Sequence, residues 1–228
     1  MKTTISDIFF DLDHTLWDFE KNSALAFEEI FKQHDIKVDL TEFLSYYIPI
    51  NVKYWELYRK DLISQADLRL GRLKETFELI DFTIDDEKLL FLSEEYIAHL
   101  PKYNHLFDGT IDILDYLNSK YNLHIITNGF HTVQESKLAN ANIRHYFKTV
   151  TNSETAGVKK PNPIIYEHAL QVAQTRKETS LMIGDCIEAD VLGALNCGLD
   201  AILFNENNIE IGHEVKQINH LLDLKKYL

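Results

Sequence analysis

Cysteine is scarce in this chain of 228 residues, with only Cys186 and Cys197 present. They stand eleven residues apart on what reads as one helix, about three turns at 1.5 Å per residue, which is too far for a disulfide. The cysteine usage fits a reducing, cytoplasmic setting. Positive charge is also short: 23 Lys and Arg stand against 36 Asp and Glu, a formal charge of −13. This argues against a general nucleic-acid or membrane-surface role, since both need a basic patch. No run of 18 apolar residues occurs, which excludes a membrane-spanning helix, and Asp7 and Asp11 interrupt the opening residues before they could make a signal peptide. Internal repeats and low-complexity segments are missing too. What remains is an ordinary globular composition, 45% hydrophobic and 26% charged, long enough for one large α/β domain or a core carrying a smaller one.

The pattern changes twice along the chain. Residues 5–10 (ISDIFF) form a short apolar run that ends in acidic residues, as a buried strand does. From about 20 to 100 there is almost no strand signal, and amphipathic patterns predict helices over roughly 21–34, 40–62, 65–80 and 85–99. Tyr47, Asn51, Tyr54, Trp55 and Tyr58 fall on one helical stripe, which reads as the core of this segment rather than as a stacking surface. Ser64 followed by Asp67 is a capping-box pattern that starts a helix near Gln65. After Pro101 and Asp108-Gly109 the chain alternates. Helix 109–120, strand 123–127, helix 131–141, a strand near 148–151, helix 163–174, strand 180–184, helix 187–197 with Gly198 as its stop, and strand 200–204 follow in turn. A strand at 214–218 and a short helix close the chain. Such alternation implies an α/β fold with a parallel, Rossmann-like sheet, whose ligands bind outside the carboxyl ends of the strands.

Four polar clusters stand at or beside those ends. Asp11 and Asp13 follow the first strand, in Asp11-Leu12-Asp13-His14-Thr15. Two carboxylates so close repel unless a cation lies between them or one holds a proton. A calcium loop does not fit, because its glycine position would be Leu16 and its closing glutamate position Asn22. Thr127-Asn128-Gly129 follows the second strand, Lys159-Lys160-Pro161 precedes helix 163–174, and Gly184-Asp185 through Asp190 follows strand 180–184. Singly, each reads as a turn, a solvated surface or a helix-dipole complement. Jointly they supply a nucleophilic carboxylate, a second acid, hydroxyl and amide donors, a cation and metal-binding oxygens, the inventory for phosphoryl transfer through a carboxylate.

On these residues the chain resembles the phosphatases of the haloacid dehalogenase superfamily. The superfamily's D-x-D-x-T matches Asp11, Asp13 and Thr15, and its strand-end Thr matches Thr127. Its Lys matches Lys160, and its G-D-x-x-x-x-D matches Gly184, Asp185 and Asp190. The resemblance implies an α/β core of residues 1–16 plus 101–228 and an inserted helical cap of residues 17–100, of the superfamily's first cap class. It also implies that Asp11 attacks phosphorus while Asp13 protonates the leaving oxygen and later activates water. Mg²⁺ would be held by Asp11, Asp185 and the backbone carbonyl of Asp13, with Asp190 contributing directly or through water. Thr127, the amides of Asn128 and Gly129, and Lys160 would hold the transferring oxygens. Asp13 points to phosphate esters, because dehalogenases resembling this chain lack that residue. His14, where many members carry Gly, could face the substrate or merely cover the sheet edge.

For the substrate, Arg69 and Arg72 lie one turn apart; either could reach a leaving group, or pair with Glu75 or Glu78. The runs Phe10–Phe19 and Thr127-Asn128-Gly129-Phe130 resemble the YjjG-like pyrimidine 5'-nucleotidases, whose cap often has an Arg-Phe pair where this chain has Arg72-Leu73. That likeness implies a nucleoside monophosphate. A sugar-phosphate or phosphoglycolate-type phosphatase, a β-phosphoglucomutase-like mutase and a non-catalytic interaction protein stand as alternatives. The expected partner is a small phosphate ester, not a nucleic-acid polymer or a membrane, and the expected state is a monomer or homodimer.

Overall fold

In the computed structural model, which describes residues 4–212 and 214–228, the chain forms two compact units. One joins the segment ending at Asp18 to Asn104–Leu228; the other is Phe19–Tyr103.

The first unit is built on six parallel strands: β1 (Asp7–Phe10), β2 (Asn122–Thr127), β3 (Phe147–Asn152), β4 (Ser180–Gly184), β5 (Asp200–Phe204) and β6 (Gln217–Ile218). Their order is β3-β2-β1-β4-β5-β6, the doubly wound arrangement that reverses direction between β1 and β4. All four residues of β1 and all five of β4 are buried, as strands covered on both faces must be. Phe9, Ile126, Met182, Ala201 and Leu203 pack with Ile165, Tyr166 and Ala169 of one helix and Ala194 of another. Burying each large side chain of this kind contributes about 1.5–3 kcal/mol. Register puts Phe10 beside both Ile125 and Ile183, and the Asp11 N–H extends the ladder to the Ile183 carbonyl at 2.9 Å. Asp11 therefore leaves the sheet at its reversal point, next to the end of β4.

The second unit holds α1 (Phe19–Gln33), α2 (Leu40–Arg59), α3 (Gln65–Leu79) and α4 (Asp86–His99). Phe27 sits in its middle, touching the rings of Phe31, Phe43, Tyr47 and Tyr96 at 4.4–5.7 Å between centroids. Tyr47 of the aromatic stripe is thus core, while Tyr54, Trp55 and Tyr58 are half-buried. Both bonds of the Ser64–Asp67 capping box are present at the start of α3.

The remaining helices are α5 (Thr110–Asn118), α6 (His131–Asn140), α7 (Ser153–Ala156), α8 (Pro163–Ala173) and α9 (Gly193–Cys197). The expected helix 187–197 is not uniform. Its first part, Ile187–Leu192, is a wide π-type turn, and only Gly193–Cys197 is α-helical. The Tyr166 hydroxyl donates to the Ala189 carbonyl, and the Gly193 N–H reaches back five residues to Glu188 instead. Cys186 and Cys197 are free, as their separation requires. The four-residue α7 went unseen in the sequence because it is too short to show a period; Asn152 and Thr155 cap it reciprocally.

Candidate active site

The chain leaves β1 into a tight loop in which the N–H groups of Thr15, Leu16 and Trp17 all converge on the Leu12 carbonyl. His14 takes a left-handed conformation, φ 61°, and its N–H donates to the Trp17 carbonyl. A glycine would occupy that conformation without strain. The loop turns buried Thr15 toward β4, where its hydroxyl donates to Asp185 Oδ1 at 3.1 Å.

Around Asp11 the structure brings together Lys160, Asp185 and Asp190. Lys160 is 2% exposed, and its Nζ donates to Asp11 Oδ1 at 2.8 Å and to the Ile126 carbonyl at 2.7 Å, with Asp190 Oδ1 also at 2.7 Å. Asp190 reaches this point because Gly184 has no side chain: a Cβ there would lie 2.4 Å from Asp190 Cγ. The Asp190 carboxylate also accepts the Cys186 N–H at 3.0 Å. The loop carrying Lys160 is fixed by Asn128, whose side chain accepts the Lys160 N–H at 2.7 Å and donates to its carbonyl at 3.0 Å. Asn128 thus acts on the site through Lys160. The Gly129 N–H is directed at Thr127 Oγ1, 3.1 Å away.

The electrostatics are unbalanced. Asp11, Asp185 and Asp190 each offer an oxygen within 4.8 Å of the others, while one ammonium faces them. Burial, with Asp190 and Asp185 beside it, pushes the Asp11 carboxyl well above the usual carboxylate range despite Lys160. Burial and Asp190 raise Asp185 to about 7, against the pull of Lys160 and Thr15. Burial opposes the Lys160 charge, but Asp11 and Asp190 outweigh it and hold the ammonium above its ordinary pKa. Asp11, Asp185 and Asp190 stand close enough to hold one metal ion, and an all-oxygen donor set suits a hard divalent cation.

Asp13 points elsewhere. Its Oδ1 accepts from Lys137 Nζ at 2.6 Å and its Oδ2 from Gln134 Nε2 at 3.0 Å, both on α6. Gln134 Nε2 also donates to Thr127 Oγ1 at 2.7 Å, so Thr127 joins the site through Gln134. Neither Gln134 nor Lys137 stood out in the sequence, where polar residues on a helix read as a solvated face. The available signal was Gly129, since a Cβ there would lie 2.4 Å from Gln134 Cδ. Arg72 belongs to the helical unit. It is 3% exposed, donates to Asn51 Oδ1 at 2.6 Å and lies 5.8 and 5.2 Å from the ring centroids of Tyr47 and Tyr96. It forms no exposed pair with Glu75, which instead binds Lys53.

A doubly wound sheet with an acid cluster and a buried lysine at its reversal point carries the side-chain inventory that phosphoryl transfer requires. The family model of haloacid dehalogenase-like hydrolases matches residues 8–204, and the chain belongs to that family. It is 33% identical over 205 residues to the pyrimidine 5'-nucleotidase PynA of Streptococcus pneumoniae, covering 89% of this chain and 85% of that one. It is 30% identical to the pyrimidine 5'-nucleotidase YjjG of Escherichia coli, covering 89% and 87%. Bacillus subtilis YfnB, solved bound to magnesium, superposes with a TM-score of 0.90 over 99% of both chains at 25% identity.

Proposed function

We propose that this protein is a magnesium-dependent phosphomonoester hydrolase that works through a phosphorylated Asp11 and acts on pyrimidine nucleoside monophosphates. The observation that carries the chemistry is the Asp11–Lys160 contact inside an acid cluster, with a second carboxylate, Asp13, two residues on. The nucleotide reading rests on the similarity to PynA and YjjG, each named a pyrimidine 5'-nucleotidase.

Asp11, Asp185 and Asp190 would hold Mg²⁺, with the Asp13 carbonyl as a further ligand. When bound, the ion neutralises phosphate charge and stabilises the charge that develops during transfer. Lys160 keeps an Asp11 oxygen in place and offers positive charge to the phosphoryl oxygens, assisted by Thr127 and the Asn128–Gly129 turn. The Asp11 carboxylate forms a bond to phosphorus as the ester P–O bond breaks, and Asp13 gives its proton to the departing oxygen. Asp13 then takes a proton from water as that water attacks the phospho-aspartate, which releases phosphate and restores Asp11. The helical unit is read as the family's cap, and Arg72 and His14 as candidate substrate contacts.

The test is a magnesium-supplemented panel of pyrimidine and purine nucleotides, triose and hexose phosphates and phosphoglycolate, scored by kcat/KM. Pyrimidine monophosphates are expected at the top. A sugar phosphate leading by tenfold overturns the nucleotide reading, and activity that needs a bisphosphate activator overturns the hydrolase reading in favour of a mutase.

A further inference from the structure

We propose that Gln134 and Lys137 are positioning residues, a clamp that holds the Asp13 carboxylate in one direction and ties it to Thr127; this rests on the hydrolase reading above. The two side chains stand three residues apart on one face of α6 and are 1% and 2% exposed, so they are not a solvated helix face. Each takes one oxygen of the same carboxylate, Lys137 at 2.6 Å and Gln134 at 3.0 Å. With both oxygens held from different atoms, rotation about either side-chain torsion of Asp13 breaks a bond. Lys137 Nζ also sits 4.3 Å from the Trp17 ring centroid, and Trp17 is fully buried in the loop that Asp13 opens.

Gln134 adds the link to the transferring group. Its Nε2 donates to Asp13 and to Thr127 Oγ1 at once, and the reversed amide would set its oxygen against the carboxylate. Gly129 serves this contact: any side chain there would collide with Gln134. The hydroxyl expected to hold phosphoryl oxygen and the carboxylate expected to serve the leaving oxygen are therefore spaced by one buried amide. A 1 Å error in such spacing costs on the order of 10²-fold in rate. Asp13 must meet the leaving oxygen and then water from one place, and the clamp supplies that place.

The test compares Lys137→Met, Gln134→Leu and the conservative Lys137→Arg with wild type on p-nitrophenyl phosphate, whose leaving group needs no proton, and on a nucleoside monophosphate, whose leaving group does. The two disrupting variants are expected to lose about 10–10²-fold in the single-turnover rate of Asp11 phosphorylation by the nucleotide, with KM within about twofold, and less than about fivefold in phosphorylation by p-nitrophenyl phosphate, because hydrolysis of the phospho-aspartate is common to both substrates. Lys137→Arg is expected to recover most of the loss. In an Asp13→Asn background, Lys137→Met should cost nothing further. Equal losses on both substrates, or a full further loss in the Asp13→Asn background, overturn the clamp and leave the hydrolase reading standing. A wild type that turns over neither substrate overturns the hydrolase reading and the clamp's role with it. If Lys137→Met does not fold, Gln134→Leu and Lys137→Arg carry the same comparison.

Discussion

Strand β1 carries an aspartate at its start and another just past its end, and the fold treats them in opposite ways. Burial pulls the Asp7 carboxyl upward, but hydrogen bonds from Ser6, Thr175, Asn122 and His124 outweigh it and hold Asp7 below the usual carboxylate range. Asp11, four residues on, is pushed well above that range by burial and by two further carboxylates, against one lysine. At the first end neutral donors satisfy a single charge. At the second, burial and two like charges together outweigh Lys160. Burial raises both carboxyls; the difference lies in whether the groups brought to each offset it, and strongly perturbed groups gather where catalysis occurs.

Turnover should show the largest difference between the two ends. Asp11→Asn is expected to lower kcat by at least about 10⁴-fold. Its metal-free Tm should be no lower than that of wild type, because it removes a carboxylate whose ionisation the fold opposes. Steady-state kinetics and a thermal melt check both, and near-native turnover would break the assignment of Asp11. Next in size is the response to Mg²⁺. At about 100 times its Kd the ion should stabilise wild type by about 2.7 kcal/mol. The gain should shrink sharply in Asp185→Asn, read from melts with Mg²⁺ and with EDTA.

The other end should affect folding and leave catalysis alone. Asp7→Ala leaves the donors of Ser6, Asn122, His124 and Thr175 without their acceptor and is expected to cost about 1–3 kcal/mol, seen as a lower urea midpoint with kcat/KM unchanged. A kcat loss exceeding tenfold in the folded variant would erase the distinction between the ends. The smallest effect concerns pH. His124 is buried, stacked on Phe9 with centroids 4.7 Å apart, and donates from Nε2 to Asp7, which leaves Nδ1 to accept from Thr149. Burial lowers its pKa even though Asp7 opposes the shift. Between the folded value and about 6.5 the unfolded chain binds the extra proton, so stability falls as pH drops through that window. Asp7, with its pKa depressed, loses its contribution in a second window, below about 3.9 and down through its folded pKa. Urea midpoints from pH 8 to 4 should show a first decline beginning below about pH 6.5 that His124→Gln flattens.

Much of this molecule was legible in its residues. Strand 180–184, the start of helix 163–174, the stop at Gly198 and the capping box at Ser64 all stand where local rules put them, because each depends on neighbours within a turn or a strand length. The motif residues Asp11, Lys160, Asp185 and Asp190 could be grouped from order alone, since parallel strands must deliver their carboxyl ends to one edge. The wide turn at Ile187–Leu192 could not, because it depends on a hydroxyl from Tyr166, more than twenty residues away. Gln134 and Lys137 were equally hidden: their pattern is that of any polar helix face until α6 is set against the loop after β1.

The sequence by itself determined which chemical groups are present, the period of each segment and the order in which strands deliver acids and the lysine to the sheet edge. Tertiary structure decided what those groups experience. Asp7 and Asp11 are the same residue type at the two ends of one strand, and the burial, donors and charges that distant segments bring to them make one a well-satisfied anion and the other a carboxyl whose ionisation is opposed. Local propensity acts over a few residues, whereas electrostatic interaction in a buried site depends on distance through space, and folding sets that distance.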